Sequence, residues 1–516
     1  MTVFSPVFSP VFSRLLTHAL PLPLACALLL AGCAVGPDYK RPDAPVSEAF
    51  KEANATSDTT TDANAWRGDW KTAEPQDAVA RADWWTVFGD PQLDALMSEV
   101  QISNQNIKAA EAQYRQAVAA LQAARAGFFP TVDAQAGASR ARGASGNTLN
   151  GQSLTLGATW EIDVWGRVRR QVESSEASAQ ASQADLGSTL LSTQATLAQS
   201  YFLLRVADAQ KALLDRTVAD YQKSLQLVQN QYAAGTAQRS DVLQSETQLK
   251  SAQAQQIDIQ ITRAQLEHAI AVLVGKPPAA LSLAADDFRK APPRVPAAVP
   301  SELLERRPDI GAAERRMASA NAQIGVAQAA YYPTLSLSAS GGLTASTLAR
   351  WMSLPDRIWS IGGGLAGTLF DGGLRSAAKA QAVAAYDQTV ANYRQTVLSA
   401  FQEVEDNLAA QRLLEQEAVV QNDALRSARD ALVLVNNRYR AGTAGLLDVL
   451  TAQTAAYTAE RTALTIAGRQ YTAAVVLIKA LGGNWHPQPL DGATGSRPAG
   501  AAPATPAAPA ITVGRR

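Results

Sequence analysis

Metal-ligating residues are scarce: three histidines (His18, His268, His486) and two cysteines (Cys26, Cys33) are scattered through 516 residues, which is no material for a metal centre of familiar spacing. Charge of one sign is lacking too. The chain balances 46 basic against 46 acidic residues, so no basic excess points to nucleic acid. No P-loop, nucleophile elbow or dinucleotide fingerprint sits on a strand-to-helix turn, and nothing reads as an enzyme. Beyond Leu30 no apolar run reaches the ~20 residues of a membrane helix. Proline is absent between Pro130 and Pro277 and again between Pro355 and Pro487, and from Leu374 to Ala441 glycine is absent as well. That last window, mostly Ala, Gln, Leu, Glu, Arg and Val, predicts one helix of roughly 100 Å at ~1.5 Å per residue. A helix so far above the ~11-residue average has to pack lengthwise against others.

What is present begins with an export signal. Arg14 flanks a short apolar stretch, Ala19 to Leu30, which closes on Leu30-Ala31-Gly32-Cys33. This resembles the lipobox of bacterial lipoproteins, where cleavage before the cysteine frees its sulfur for a diacylglycerol. The expectation is a signal peptide over 1–32 and a lipid on Cys33, with no other cofactor. With Cys26 in the removed leader, no intrachain disulfide remains. Ala34 follows the cysteine where aspartate would resemble an inner-membrane retention signal, which favours the outer membrane.

The body is a tandem duplication. Asn230-Gln231-Tyr232-Ala233-Ala234-Gly235-Thr236 returns as Asn437-Arg438-Tyr439-Arg440-Ala441-Gly442-Thr443, and Asp241-Val242-Leu243 as Asp448-Val449-Leu450. Phe128-Phe129-Pro130-Thr131 likewise returns as Tyr331-Tyr332-Pro333-Thr334, and Gly275 as Gly482. Two copies are too few for a solenoid. Each half reads helix, strand, strand, long helix, turn, long helix. The domains are therefore 33–83, a lipidated tether; 84–290 and 291–484, the two repeats; and 485–516, an Ala/Pro-rich tail. Polar Ser47 to Ala80 and the tail carry too little apolar surface for a core and read as disordered.

Leu214, Val218, Tyr221, Leu225, Val228 and Tyr232 alternate steps of four and three, a coiled-coil seam kept in the second copy by Leu425, Leu432, Val435 and Tyr439. Strands are expected at Thr131 to Arg142 and Gln152 to Trp165, around a Gly143 to Gly151 loop, and at Thr334 to Thr344 and Ile358 to Asp371. In the second, Leu154, Leu156, Ala158, Trp160 and Ile162 share one face, the weak signature of a transmembrane β-strand. Phe128, Phe129, Trp160, Trp165, Tyr331, Tyr332 and Trp359 crowd the strand ends as interfacial girdles. Four strands close no barrel and an open edge cannot face lipid, so membrane strands demand oligomerisation: eight strands from a dimer or twelve from a trimer.

Three separated motifs carry a resemblance that covers nearly the whole mature chain. They are Cys33-Ala34-Val35-Gly36-Pro37-Asp38-Tyr39-Lys40-Arg41-Pro42, Trp84-Trp85-Thr86-Val87-Phe88-Gly89-Asp90-Pro91-Gln92-Leu93 and Leu303-Leu304-Glu305-Arg306-Arg307-Pro308-Asp309-Ile310. The chain resembles the outer membrane efflux proteins, the TolC-like ducts, in the lipidated branch serving resistance-nodulation-division pumps. The resemblance implies a homotrimeric α+β membrane protein, a twelve-stranded outer-membrane barrel continuous with a periplasmic helical barrel. Its partners would be its own copies, outer-membrane lipid, a periplasmic adaptor and an inner-membrane transporter. The competing expectations are the exit duct of a type I protein secretion system and a pore-less periplasmic coiled-coil lipoprotein. Strands set symmetrically between helices in both halves disfavour the last.

By the same resemblance the helical tips meet the adaptor: Gly235, Thr236 and Arg239 on one, Arg440, Gly442 and Thr443 on the other, with Tyr232 and Tyr439 beside them. Carboxylates near the next helix start, Asp241 and Asp448, also suit the positive helix end. Leu447, Asp448 and Asp241 are the candidate gate, an apolar constriction with an acidic ring. Many relatives place an aspartate slightly later, where this chain has Thr451. A barrel holds its membrane without help, so lipid on Cys33 is expected to serve sorting and assembly. Cys33→Ala should lower the assembled protein recovered in outer-membrane fractions, and unchanged recovery would refute that role.

Overall fold

A computed structural model describes residues 35–44, 50–54, 83–142, 146, 148–286, 293, 306–345 and 357–483. The expected leader 1–32, Cys33, the tail 485–516 and most of the tether lie outside the described residues. The elements run α1 (Lys51–Asn54), a 3₁₀ turn (Trp84–Phe88), α2 (Pro91–Ser103), α3 (Gln105–Ala126), β1 (Thr131–Arg142), β2 (Thr148–Ile162), α4 (Arg167–Ala233) and α5 (Arg239–Leu273). They continue with α6 (Pro308–Ala329), β3 (Thr334–Ala345), β4 (Arg357–Ala366), α7 (Leu374–Arg440) and α8 (Leu446–Ala480). Corresponding helices match in length: α3 and α6 have 22 residues, α4 and α7 have 67, α5 and α8 have 35.

Two strands stop short of their expected ends. β2 ends at Ile162 and β4 at Ala366, because an aspartate then turns the chain into a helix. The Asp163 carboxylate accepts from the Val168 and Arg169 backbone N–H groups, and Asp371 accepts from those of Gly373 and Arg375. Gly166 and Gly373, at φ 80° and 95°, supply the left-handed turn before each helix. The expected loop also gives way: Thr148 to Gly151 belong to β2 and pair with Arg142 to Ser139. The sheet is antiparallel throughout, in the order β1-β2-β3-β4.

The helices form a wall four columns wide. α4 and α7 run its full length, and each is flanked by a column built from two shorter helices. At one junction the C-terminus of α5 meets the α2–α3 break, and at the other the end of α8 meets the start of α6. Facing helix ends carry unpaired carbonyl and N–H groups, and buried side chains satisfy them. Asn104 accepts from the Asn106 and Ile107 N–H groups while its amide donates to the Leu273 carbonyl at 2.7 Å. Arg307 donates to the Ala480 carbonyl at 3.0 Å and is held by Asp309 and Glu403.

Between α2, α4, α5 and α8 lies the main apolar core, including Trp84, Trp85, Phe88, Leu93, Tyr201, Phe202 and Tyr471. The Trp84-Trp85 motif folds as the 3₁₀ turn that seats three of these rings, and the Trp84 indole donates to Gln194 at 3.1 Å. Tyr201 donates to Asp90, the α2 cap, at 2.7 Å, and burial pushes its hydroxyl pKa well up, so it stays protonated. Beside it Asp208 accepts from both Arg205 and Arg263, at 2.9 and 2.7 Å, so this buried carboxylate is fully paired.

The seam packs as expected, with one exception. Leu214, Val218, Tyr221 and Val228 are buried, but Tyr232, in the last turn of α4, is 46% exposed. The tether also departs from expectation. Residues 35–44 and 50–54 are not free: Phe50 is buried against Val404, Leu477 and Ala480, and the Lys51 and Glu52 N–H groups donate to Glu405.

The junctions leave no room for a side chain. A Cβ on Gly275 would stand 2.3 Å from the Ser103 carbonyl oxygen, and one on Gly482 2.4 Å from that of Arg306, both at positive φ. Gly275→Ala and Gly482→Ala are each expected to cost about 2 kcal/mol or more. Gly235→Ala, at φ 74° with nothing within 4 Å, should cost about 1 kcal/mol. Thermal melting followed by circular dichroism ranks the three, and equal midpoints would contradict the close approach.

Candidate functional site

Three features carry chemistry: the faces of the sheet, its junction with the helices, and the hairpin tips. Paired strand residues share a face, so the register sorts every side chain. Leu154 pairs with Ala136 and Leu343, and Trp160 with Leu337; Trp359 and Ile361 continue this face on β4 through Gly341 and Ala339. The opposite face carries Thr131 against Thr159, Ser153 against Thr344, and Ser340 against Ser360. Its hydroxyls bond across strands, Thr131 to Thr159 and Ser340 to Ser360 at 2.8 Å each. One face is therefore apolar and aromatic, and the other is lined by short hydroxyls. Reading β2 alone revealed the alternation of one strand; the register extends it to all four.

The aromatic residues divide between the two ends. Phe128, Phe129, Trp160, Trp165, Tyr331 and Tyr332 gather where strands meet helices. There the Trp160 indole donates to the Phe128 carbonyl, the Trp165 indole to that of Pro333, and Trp165 stacks on Tyr332 at 4.8 Å. Among the described residues Trp359 alone lies toward the other end, 78% exposed. Leu369 and Phe370, nearly fully exposed just after β4, join the first group and were not singled out in the sequence.

The N-terminal segment is moored to this same junction. The Val35 N–H donates to the Trp165 carbonyl at 3.1 Å, and Arg170 holds the Val35 and Gly36 carbonyls and the Asp38 carboxylate. From there the chain descends along α6 and α7: Asn321 donates to the Pro37 carbonyl, and Arg41 to the Tyr393 hydroxyl.

At the opposite end, Gly235 and Gly442 turn the hairpins at φ 74° and 73°. The Thr236 hydroxyl donates to the Gln231 carbonyl and that of Thr443 to Arg438, so each threonine closes its own turn. Tyr439 donates to Gln231 at 2.7 Å and ties the tips together. Burial, and secondarily the Asp241 carboxylate, raises the Tyr439 pKa and keeps that proton in place. Arg239 and Arg440 are exposed, without an ion pair among the described residues.

Asp241 and Asp448 play matching parts. Each sits in the first turn of its helix and accepts from a backbone N–H just before it, Gln238 for one and Gly445 for the other, at 3.1 and 3.0 Å. Nothing joins the two carboxylates to each other among the described residues. Leu447, 65% exposed, instead lines an open groove of about 740 Å³ between the first turns of α5 and α8, with Leu243, Leu450, Thr451 and Thr454. Around it the hairpins are stitched by neutral side chains: Gln248 to Thr454, Gln453 to Ser224, and Tyr457 to Gln255. The groove was not singled out in the sequence, since its lining comes from two helices far apart in the chain.

A sequence model described as "Outer membrane efflux protein" matches residues 96–276 and 299–483. The chain is 30% identical over 478 residues to the probable efflux pump outer membrane protein TtgC of Pseudomonas putida, covering 90% of this chain and 95% of that one. It is 32% identical over 436 residues to the pyoverdine export outer membrane protein OpmQ of Pseudomonas aeruginosa, covering 81% and 90%. Among solved structures it is similar to the outer-membrane channel OprN, with a TM-score of 0.77 and 31% identity over 88% of this chain and 100% of that one.

Asp448→Ala is expected to cost about 1 kcal/mol by freeing the Gly445 N–H, whereas Asp448→Asn keeps an acceptor and most of that stability. Thermal midpoints of the two variants decide, and equal losses would refute the cap.

Proposed function

The chain belongs to the outer membrane efflux protein family, and from that premise we propose that three copies form the outer-membrane exit duct of a tripartite efflux pump. One observation carries this reading: a two-faced, four-stranded sheet whose edge strands β1 and β4 each lack a partner on one side among the described residues. Hydrocarbon tolerates no open edge, and three copies joined β4 to β1 supply twelve strands with room for a water-filled passage. The apolar face then meets lipid and the hydroxyl face meets the solute.

The helical wall supports the same closure. Its outer columns are α7 on one side and α3 with α5 on the other, and both expose apolar residues, Val419, Val420, Val433 and Leu434 on α7 and Ile257 and Ile261 on α5. Pairing these unlike edges head to tail makes a ring, the heterologous contact that closes under three-fold symmetry. The ring continues the barrel into the periplasm. Cys33 carries the lipid, and the chain that follows it is moored through Val35 beside the aromatic belt. The tips, with Arg239 and Arg440 free, meet the periplasmic adaptor, and an inner-membrane transporter supplies the energy. Asp448 and Leu447, repeated three times, narrow the mouth; Asp241 completes the acidic ring. The duct itself is passive and performs no catalysis.

Purified full-length protein should have the mass of three chains and give discrete conductance steps in planar bilayers, with Asp448→Asn lowering cation preference. Monomeric or dimeric mass without insertion would sink the duct. Steps whose selectivity ignores that substitution would remove the gate and leave the duct standing.

A further inference from the structure

The apolar face of the sheet ends in arginine. Arg140 pairs with Asn150, Arg142 with Thr148 and Arg357 with Leu343, so by alternation all three share the face of Ala136, Leu154, Trp359 and Ile361. They lie in the last three residues of β1 and the first residue of β4, the end of the sheet remote from the helices. All three are exposed. Arg142 gives one N–H to the Gly146 carbonyl at 3.1 Å, and none of the three has an ion pair among the described residues. The two carboxylates within the strands, Asp133 and Glu161, stand on the other face at the helix end. The sheet's charge is therefore sorted twice, by face and by end.

We propose that Arg140, Arg142 and Arg357 form a binding surface for the phosphate groups of anionic glycolipid in the outer leaflet. The inference rests on the barrel reading. On a lipid-facing wall a guanidinium is tolerated only where its long stem lets the head reach the headgroup zone, which is where the distal end of the barrel lies. What it meets there is phosphate, and the planar five-donor guanidinium binds phosphate oxygens two at a time. Arg140 and Arg142, two residues apart on one strand, present their forks about 7 Å apart along it. β1 and β4 are the edge strands, so closing the barrel places Arg140 and Arg142 of one copy and Arg357 of the next on adjoining strands. Each of the three seams then carries its own cluster of guanidinium groups contributed by two copies, and the lipid spans the joint.

Native mass spectrometry of the detergent-solubilised full-length assembly, titrated with diphosphorylated lipid A and with the same lipid enzymatically stripped of phosphate, tests this directly. The wild-type assembly should hold the phosphorylated form at least about tenfold more tightly, and R140Q/R142Q/R357Q should abolish that preference. Equal affinity of the wild type for the two lipids would overturn the proposal without any variant, as would an undiminished preference in the triple variant. Conductance in phosphatidylcholine bilayers separates this from the parent reading. Steps without phosphate preference sink the arginine surface alone, whereas absence of steps and of trimer sinks the barrel and the surface with it.

Discussion

Two helices of 67 residues set the length of the wall, and everything beside them is assembled from shorter pieces whose ends must still be satisfied. That constraint is met differently in the two columns. One uses a neutral amide: Asn104 caps α3 and reaches across to Leu273. The other uses a buried guanidinium, with Arg307 bound to the Ala480 carbonyl and neutralised by Asp309 and Glu403. Both joints depend on a glycine at positive φ that lets one backbone press against another. Once the joints hold, a broken column packs along a continuous one as if it were continuous itself. The aromatic core, the mooring of the N-terminal segment and the alignment of the tips all follow.

The long helices were legible in the sequence because nothing interrupts them. The window from Leu374 without glycine or proline became a helix ending at Arg440, and β1 kept both expected ends. Local chemistry explains the misses. β2 and β4 run on in composition, but Asp163 and Asp371 withdraw the backbone into helix caps, a competition between side chain and ladder that alternation does not register. The break between α2 and α3 was invisible for the converse reason: it carries no glycine of its own, and its Asn104 is satisfied by a carbonyl 169 residues away.

Of the candidate site, the turn glycines and threonines were readable because a turn is local. The groove beside Leu447 was not, since it exists only where α5 and α8 approach. Residues 50–54, inside the stretch read as disordered, were misread for a related cause. Their polar composition describes a chain with no core of its own, yet Phe50, like Tyr39 before it, borrows the core of α7. Composition reports what a segment can bury alone, not what a neighbour offers it.

The stitching between the hairpins is made largely of amides and hydroxyls, with Glu460 between Arg216 and Arg429 as its charged knot. Glutamine, threonine and serine neither titrate in any ordinary medium nor weaken when counter-ions crowd around them. A compartment that exchanges small ions with the cell's surroundings inherits their brine and acidity from hour to hour. A joint fastened mostly this way feels that brine and acidity chiefly through its one charged knot, and holds elsewhere with the same grip in fresh water and in salt.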